Sequence, residues 1–144
     1  MPQSLFRVLS DLVTMDQPLH REFVEVAFGD TDASGWMHFP NIFRYVEAAE
    51  HAFLRSRKVL VFDRQQGGWP RVNVSCDFKK PLLSGDRIEV QIAISRLGTS
   101  SVTWQFEVRN AAGEIAAAGS MTNVRVDHRG HTQEISPTER AALT

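Results

Sequence analysis

The sequence predicts an α+β domain in which a five-stranded antiparallel sheet wraps one long central helix. Two periodicities and a turn pattern carry that reading. Ile42, Tyr45, Val46, Ala49, Ala52 and Phe53 recur at three- and four-residue spacing, so they share one helix face. Further on the period drops to two. Val72, Val74, Cys76 and Phe78 alternate with polar neighbours, as do Ile88 to Ile94 and Val102 to Val108. Short turns separate these runs, which implies antiparallel pairing.

Each element can be placed in order. Leu5, Val8, Leu9 and Leu12 have helical spacing, so residues 1–20 are read as an N-terminal helix or arm. A first strand is expected over about 22–28, with Val24, Val26 and Phe28 on one face. A polar turn, Gly29-Asp30-Thr31-Asp32-Ala33-Ser34-Gly35, leads to a helix starting near Pro40-Asn41. Proline suits a first helical turn because its missing N–H would be unpaired there. Arg44, Glu47, His51 and Arg55 fall on the helix's polar side. The apolar side is wide, so a sheet is the expected wrapper.

Val61 to Trp69 reads as a loop, with Gln65-Gln66-Gly67-Gly68 its most flexible part. Four strands in meander should follow, turning at Pro81 with Ser84-Gly85-Asp86, at Gly98-Thr99-Ser100, and at Asn110 to Gly113. The last strand is expected over about 114–126. Ser136-Pro137-Thr138-Glu139 fits a capping box opening a short final helix. The expected division is therefore an arm at 1–20, a domain at 21–127 and a tail at 128–144.

Composition narrows the function. With 144 residues, one domain is the natural size. Sixteen basic against seventeen acidic residues leave no electrostatic footprint for nucleic acid. A single cysteine rules out an internal disulfide framework. No run reaches the roughly 20 apolar residues of a membrane span, and a cytoplasmic protein is expected. Cys76 alternates with Val74 and Phe78, as a small buried hydrophobe would. Asp30, Asp32 and Ser34 with Gly35 mimic half an EF-hand loop. Its twelfth position, however, is Asn41 where calcium needs a bidentate glutamate. No metal or cofactor is expected.

The turn Gly29 to Gly35, then Phe39-Pro40-Asn41 and Arg44 to Ala49, resembles the hotdog-fold acyl-CoA thioesterases of the 4-hydroxybenzoyl-CoA thioesterase type. Asp77-Phe78-Lys79-Lys80-Pro81 through Gly85-Asp86 and Gly98 to Ser101 add weaker likeness. The resemblance implies thioester hydrolysis with Asp32 as general base or nucleophile and the Phe39 N–H as oxyanion donor. It places Gly98, Thr99 and Ser100 against pantetheine or nucleotide. It also implies subunits joined sheet edge to sheet edge, as a homodimer or homotetramer with the site between them.

The residues themselves support the chemistry. A carboxylate beside a helix start sits near unpaired N–H groups and the positive end of a dipole. Pro40 cannot donate, which suits a hole built on the N–H before it. His38 could support Asp32 or donate to the carbonyl, and Trp36, Met37 and Pro40 are candidate substrate contacts. Lys79, Lys80, Arg87, Arg96, Arg125 and Arg129 are candidate phosphate partners. Asp30 is read as holding the loop, while Glu47 and His51 are read as helix-surface charges. The carrier is coenzyme A or acyl carrier protein. The alternatives are an acyl-thioester hydratase or dehydratase on the same fold, and an acyl-CoA-binding module without turnover.

Overall fold

The computed structural model describes Met15 and residues 17–144. The helical spacing at Leu5 to Leu12 lies outside the described residues. The elements run β1 (His20–Glu25), α1 (Ile42–Ser56), β2 (Phe62–Asp63), β3 (Gly67–Gly68), β4 (Arg71–Phe78), β5 (Arg87–Leu97), β6 (Ser101–Arg109), β7 (Ile115–Val124) and α2 (Pro137–Ala142). Five strands form one antiparallel sheet in the order β1-β5-β6-β7-β4, and β2 pairs with β3 in a small hairpin.

Helix α1 follows a short 3-10 turn at Phe39–Asn41, with Pro40 in that turn as its chemistry favours. It packs on β5 and β1. Ile42, Tyr45, Val46, Ala49, Phe53 and Leu54 are buried against Ile88, Val90, Ile92, Trp104, Phe106 and Val108 of the sheet. Phe53 meets Trp104 edge to face at 5.8 Å, a geometry worth about 0.5–1.5 kcal/mol beyond its burial.

Three expectations are corrected. The first strand ends at Glu25, and Phe28 is 81% exposed. The Asp30 and Thr31 N–H groups donate to Ala27 and Phe28 carbonyls and curl the chain into a 3-10 turn there. The meander holds only for β5, β6 and β7. Strand β4 pairs instead with β7, from Asn73 opposite Thr122 to Phe78 opposite Ala117. Residues 79–86 are therefore a crossover, not a hairpin turn. They must pass three strand spacings, about 14 Å, and eight residues can extend to about 26 Å.

Residues 65–68 are the third correction. Gly67 and Gly68 are buried, and Gly68 exchanges backbone hydrogen bonds with Val126. A Cβ on Gly67, whose φ is +90°, would stand 2.1 Å from the Val126 carbonyl oxygen. Glycine here permits close backbone approach rather than looseness.

The crossover is stitched along its length. Lys79 and Lys80 N–H both donate to the Ala116 carbonyl at 2.8 and 3.1 Å. Leu82 accepts from Met37 N–H at 2.6 Å, and Gly85 N–H donates to Val26 at 2.8 Å. At the other end, α2 carries the expected capping box between Ser136 and Glu139. Ile135 and Leu143 are buried, so the segment after Asp127 packs onto the core.

Strand β4 is an edge whose apolar residues its own helix does not cover. Val72, Val74 and Phe78 are 59, 43 and 52% exposed. It is pinned by one buried ion pair that the sequence reading did not foresee. Glu50 on α1 is 3% exposed and meets Arg71 at 2.9 and 3.2 Å. Arg71 also reaches Glu47 and Asn123. Burial works against the Arg71 charge, but Glu50 and then Glu47 outweigh it and raise its pKa.

Candidate active site

The turn before the helix is a small hairpin with Asp32 at its shoulder. Thr31 bridges Met37, Asp32 N–H donates to Trp36, and Gly35 N–H returns to the Asp32 carbonyl. Gly35 takes φ +83°, which the tight reversal requires. The base of the hairpin is held by Asp30, which is buried. Its carboxylate accepts from Arg44 Nη1 at 2.6 Å and Tyr45 Oη at 2.5 Å. Its carbonyl accepts from His38 N–H and Asn41 Nδ2. Tyr45 in turn accepts from Ala27 N–H. Burial, then the Asp30 bond, raises the Tyr45 pKa, so the phenol remains a donor at neutral pH. Asp30 thus ties strand end, hairpin and helix together, and its carboxylate is engaged by those partners.

Asp32 differs in every respect. Its side chain is 42% exposed. Oδ1 accepts from the Ser34 hydroxyl and, at 2.8 Å, from the Ser34 N–H. Those two bonds, with a smaller pull from His38, hold its pKa below the ordinary 3.8. Oδ2 faces His38 Nδ1 at 3.7 Å. Asp32 is therefore an ionised carboxylate at neutral pH, with one oxygen tied down and the other turned toward an imidazole.

Phe39 begins the 3-10 turn, and its N–H has no partner among the described residues. Its ring lies between His38, at 5.3 Å, and Phe78, at 6.3 Å. Beside it opens a cleft of about 300 Å³. Trp36, Met37 and Phe39 form one wall, Phe78 to Leu82 the other, and Ala116 and Ala117 contribute small side chains. Of the residues singled out from sequence, Trp36, Met37, Phe39, Lys79 and Lys80 line this cleft. Asp32, His38 and Pro40 flank it without lining it in the single chain.

Gly98, Thr99 and Ser100 lie elsewhere. They join β5 to β6 at the end of β5 away from Arg87, and that strand alone extends about 33 Å. Their carbonyls are taken by the C-terminal segment: Gly98 by Arg140, Thr99 by Ile135 N–H, Ser100 by Arg125 N–H. Arg125 is no free phosphate partner either. It is 5% exposed, pairs with Glu139 at 2.9 Å and donates to the Gln66 and Val126 carbonyls. Cys76 is half-buried, and burial followed by Asp77 pushes its thiol up to about 11. That thiol stays protonated. Among the described residues no cluster of three metal-ligating side chains forms, and no helix is long and apolar enough to cross a membrane.

Sequence reasoning named Lys79 and Lys80 only as phosphate partners and missed that the crossover, with Ala116 and Ala117, walls the cleft. Only the β4–β7 pairing brings them to the hairpin, and no local signal encodes it.

The chain resembles known proteins in sequence and in fold. Two 1,4-dihydroxy-2-naphthoyl-CoA hydrolases from different strains of Prochlorococcus marinus are each 33% identical. The matches cover 58% of this chain and 62% of one relative, and 73% and 74% for the other. The chain thus spans about three fifths of the length of several such curated relatives. A gentisyl-coenzyme A thioesterase of known structure superposes with a TM-score of 0.78 at 28% identity, covering 86% of this chain and 99% of that one. A 1,4-dihydroxy-2-naphthoyl-CoA thioesterase from Synechocystis shares the fold with a TM-score of 0.80 at 19% identity, over 86% and 94% of the two chains. The thioesterase superfamily model matches residues 34–117, which run from the Asp32 hairpin through α1 to the Ala116–Ala117 wall. That match covers more than half of the chain, and the chain belongs to the thioesterase superfamily.

Proposed function

We propose that the protein is an acyl-CoA thioesterase, hydrolysing the thioester to a free acid and coenzyme A. One arrangement supports the reading: Asp32 is an ionised, half-exposed carboxylate seven residues before Phe39, which lines an apolar cleft and whose N–H has no partner among the described residues. As general base, Asp32 takes a proton from water while the water oxygen attacks the carbonyl carbon. As nucleophile, its Oδ2 attacks directly and water then cleaves the acyl-enzyme anhydride. In both routes the Phe39 N–H receives the developing oxyanion, and the C–S bond breaks as the thiolate leaves. His38 orients the Asp32 carboxylate. Acyl carrier protein is a second possible carrier of the same thioester.

Thiol release from a panel of aryl-, short- and long-chain acyl-CoAs is the direct test. Turnover of at least one class is expected, with free acid as the product. Tight acyl-CoA binding without thiol release, or hydration of an enoyl-CoA in its place, would overturn the reading.

The assembly belongs to the same proposal. An exposed, apolar β4 edge is a surface that proteins normally cover, and Phe78 belongs both to that edge and to the cleft. Two copies joined along β4 would cover it and bring a second chain to Asp32, as a homodimer or a tetramer of two such dimers. Sedimentation at assay concentration should give at least a dimer. Full turnover by a monomer would defeat the shared-site picture.

A further inference from the structure

The cleft is apolar apart from two lysines, and these have different surroundings. Lys80 donates to Glu114 at 2.6 Å, and that bond is the chief reason the Glu114 carboxyl titrates below its usual range. Its charge is already answered. Lys79 lines the same cleft, is exposed, and has no ion-pair partner among the described residues. Its backbone is not free to drift. Its N–H and that of Lys80 share the Ala116 carbonyl, which fixes the Lys79 Cα at the end of β4 beside the apolar wall. A lysine anchored at its backbone thus overlooks walls built from Trp36, Met37, Phe39 and Phe78.

Resting on the thioesterase reading, we propose that Lys79 selects acyl groups that carry a second acidic group, a carboxylate distal to the thioester. The acyl body fills the apolar cleft and its carboxylate meets the Lys79 ammonium in a charge-assisted hydrogen bond. Such a bond at an exposed lip is screened by water, so its effect is modest: about 3- to 10-fold in kcat/KM.

The test pairs acyl groups of matched length, one with a terminal methyl and one with a terminal carboxylate, as adipoyl against hexanoyl and 4-carboxybenzoyl against 4-methylbenzoyl. Each is supplied as the coenzyme A thioester and as the N-acetylcysteamine thioester, which has no phosphates. The wild-type protein should favour the carboxylate member by about 3- to 10-fold on both carriers. Lys79→Met should abolish that preference, and Lys79→Arg should restore much of it.

An equal loss on all coenzyme A thioesters, absent on the truncated carrier, would place Lys79 on a phosphate and overturn the proposal. So would a wild-type preference for the neutral members. If neutral members turn over without any carboxylate preference, this inference alone fails. If no thioester turns over, the thioesterase reading fails with it.

Discussion

Asp32→Asn should lower thiol release by at least about 100-fold, the ordinary scale for losing a general base, while leaving the fold intact. The amide keeps the size of the side chain and can still accept from the Ser34 hydroxyl and N–H through its Oδ1. The hairpin therefore retains its shape and only basicity and nucleophilicity are lost. Being half-exposed and away from the core, the site should leave stability close to that of the wild type. The pH profile adds a second reading. A carboxylate whose pKa lies below 3.8 is ionised throughout the neutral range, so the acid limb due to Asp32 protonation should have its midpoint below that value. Ser34→Ala removes the chief cause of the lowering and should move the acid limb upward. Near wild-type turnover in folded Asp32→Asn would remove Asp32 from the mechanism.

Arg71→Met should cost about 3–5 kcal/mol, because it leaves Glu50 as an uncompensated buried carboxylate. For a chain of this size the melting midpoint should drop by roughly 10–15 °C. Glu47 is half-exposed and loses a partner at little cost. His51 Nε2 lies 3.6 Å from Glu50 and is the remaining basic side chain near it among the described residues. The double change Glu50→Met with Arg71→Met removes both charges and should recover most of the loss, since well-packed apolar replacements of a buried pair are often neutral. Calorimetry of the wild type and the two variants decides the matter. A single variant as stable as the wild type, or a double variant no better than the single, would show that the pair is not what pins β4 to the helix.

Local periodicity made most of the fold legible. Strand β4 was readable to the residue, and α1 to within its first turn, because Val72 to Phe78 and Ile42 to Phe53 sit on faces whose period is set by backbone geometry. The capping box at Ser136 and Glu139 was legible for the same reason: both partners lie within one turn. What stayed hidden was pairing at long range. Nothing in Pro81 to Asp86 distinguishes a turn from a crossover until β7 is seen to sit beside β4. The buried Glu50 was missed because its partner, Arg71, is 21 residues away. The glycines at 67 and 68 read as slack because the backbone they make room for, Val126 and Asp127, lies far along the chain. The same divide runs through the site. Asp32, His38 and Phe39 lie within eight residues and could be proposed together, whereas the far wall of the cleft could not.

The crossover also sets a timetable. Strand β4 is made early, yet its only sheet neighbour among the described residues is β7, with Ser75 lying opposite Ser120, 45 residues later. During synthesis β4 emerges with Val72, Val74 and Phe78 and nothing to pair with, while β5, β6 and β7 can zip in sequence as hairpins. The cleft cannot exist before Ala116 and Ala117 arrive. A growing chain is thus committed to its sheet before it owns a binding site, and for that interval the strand richest in uncovered apolar surface is the one most open to the wrong partner.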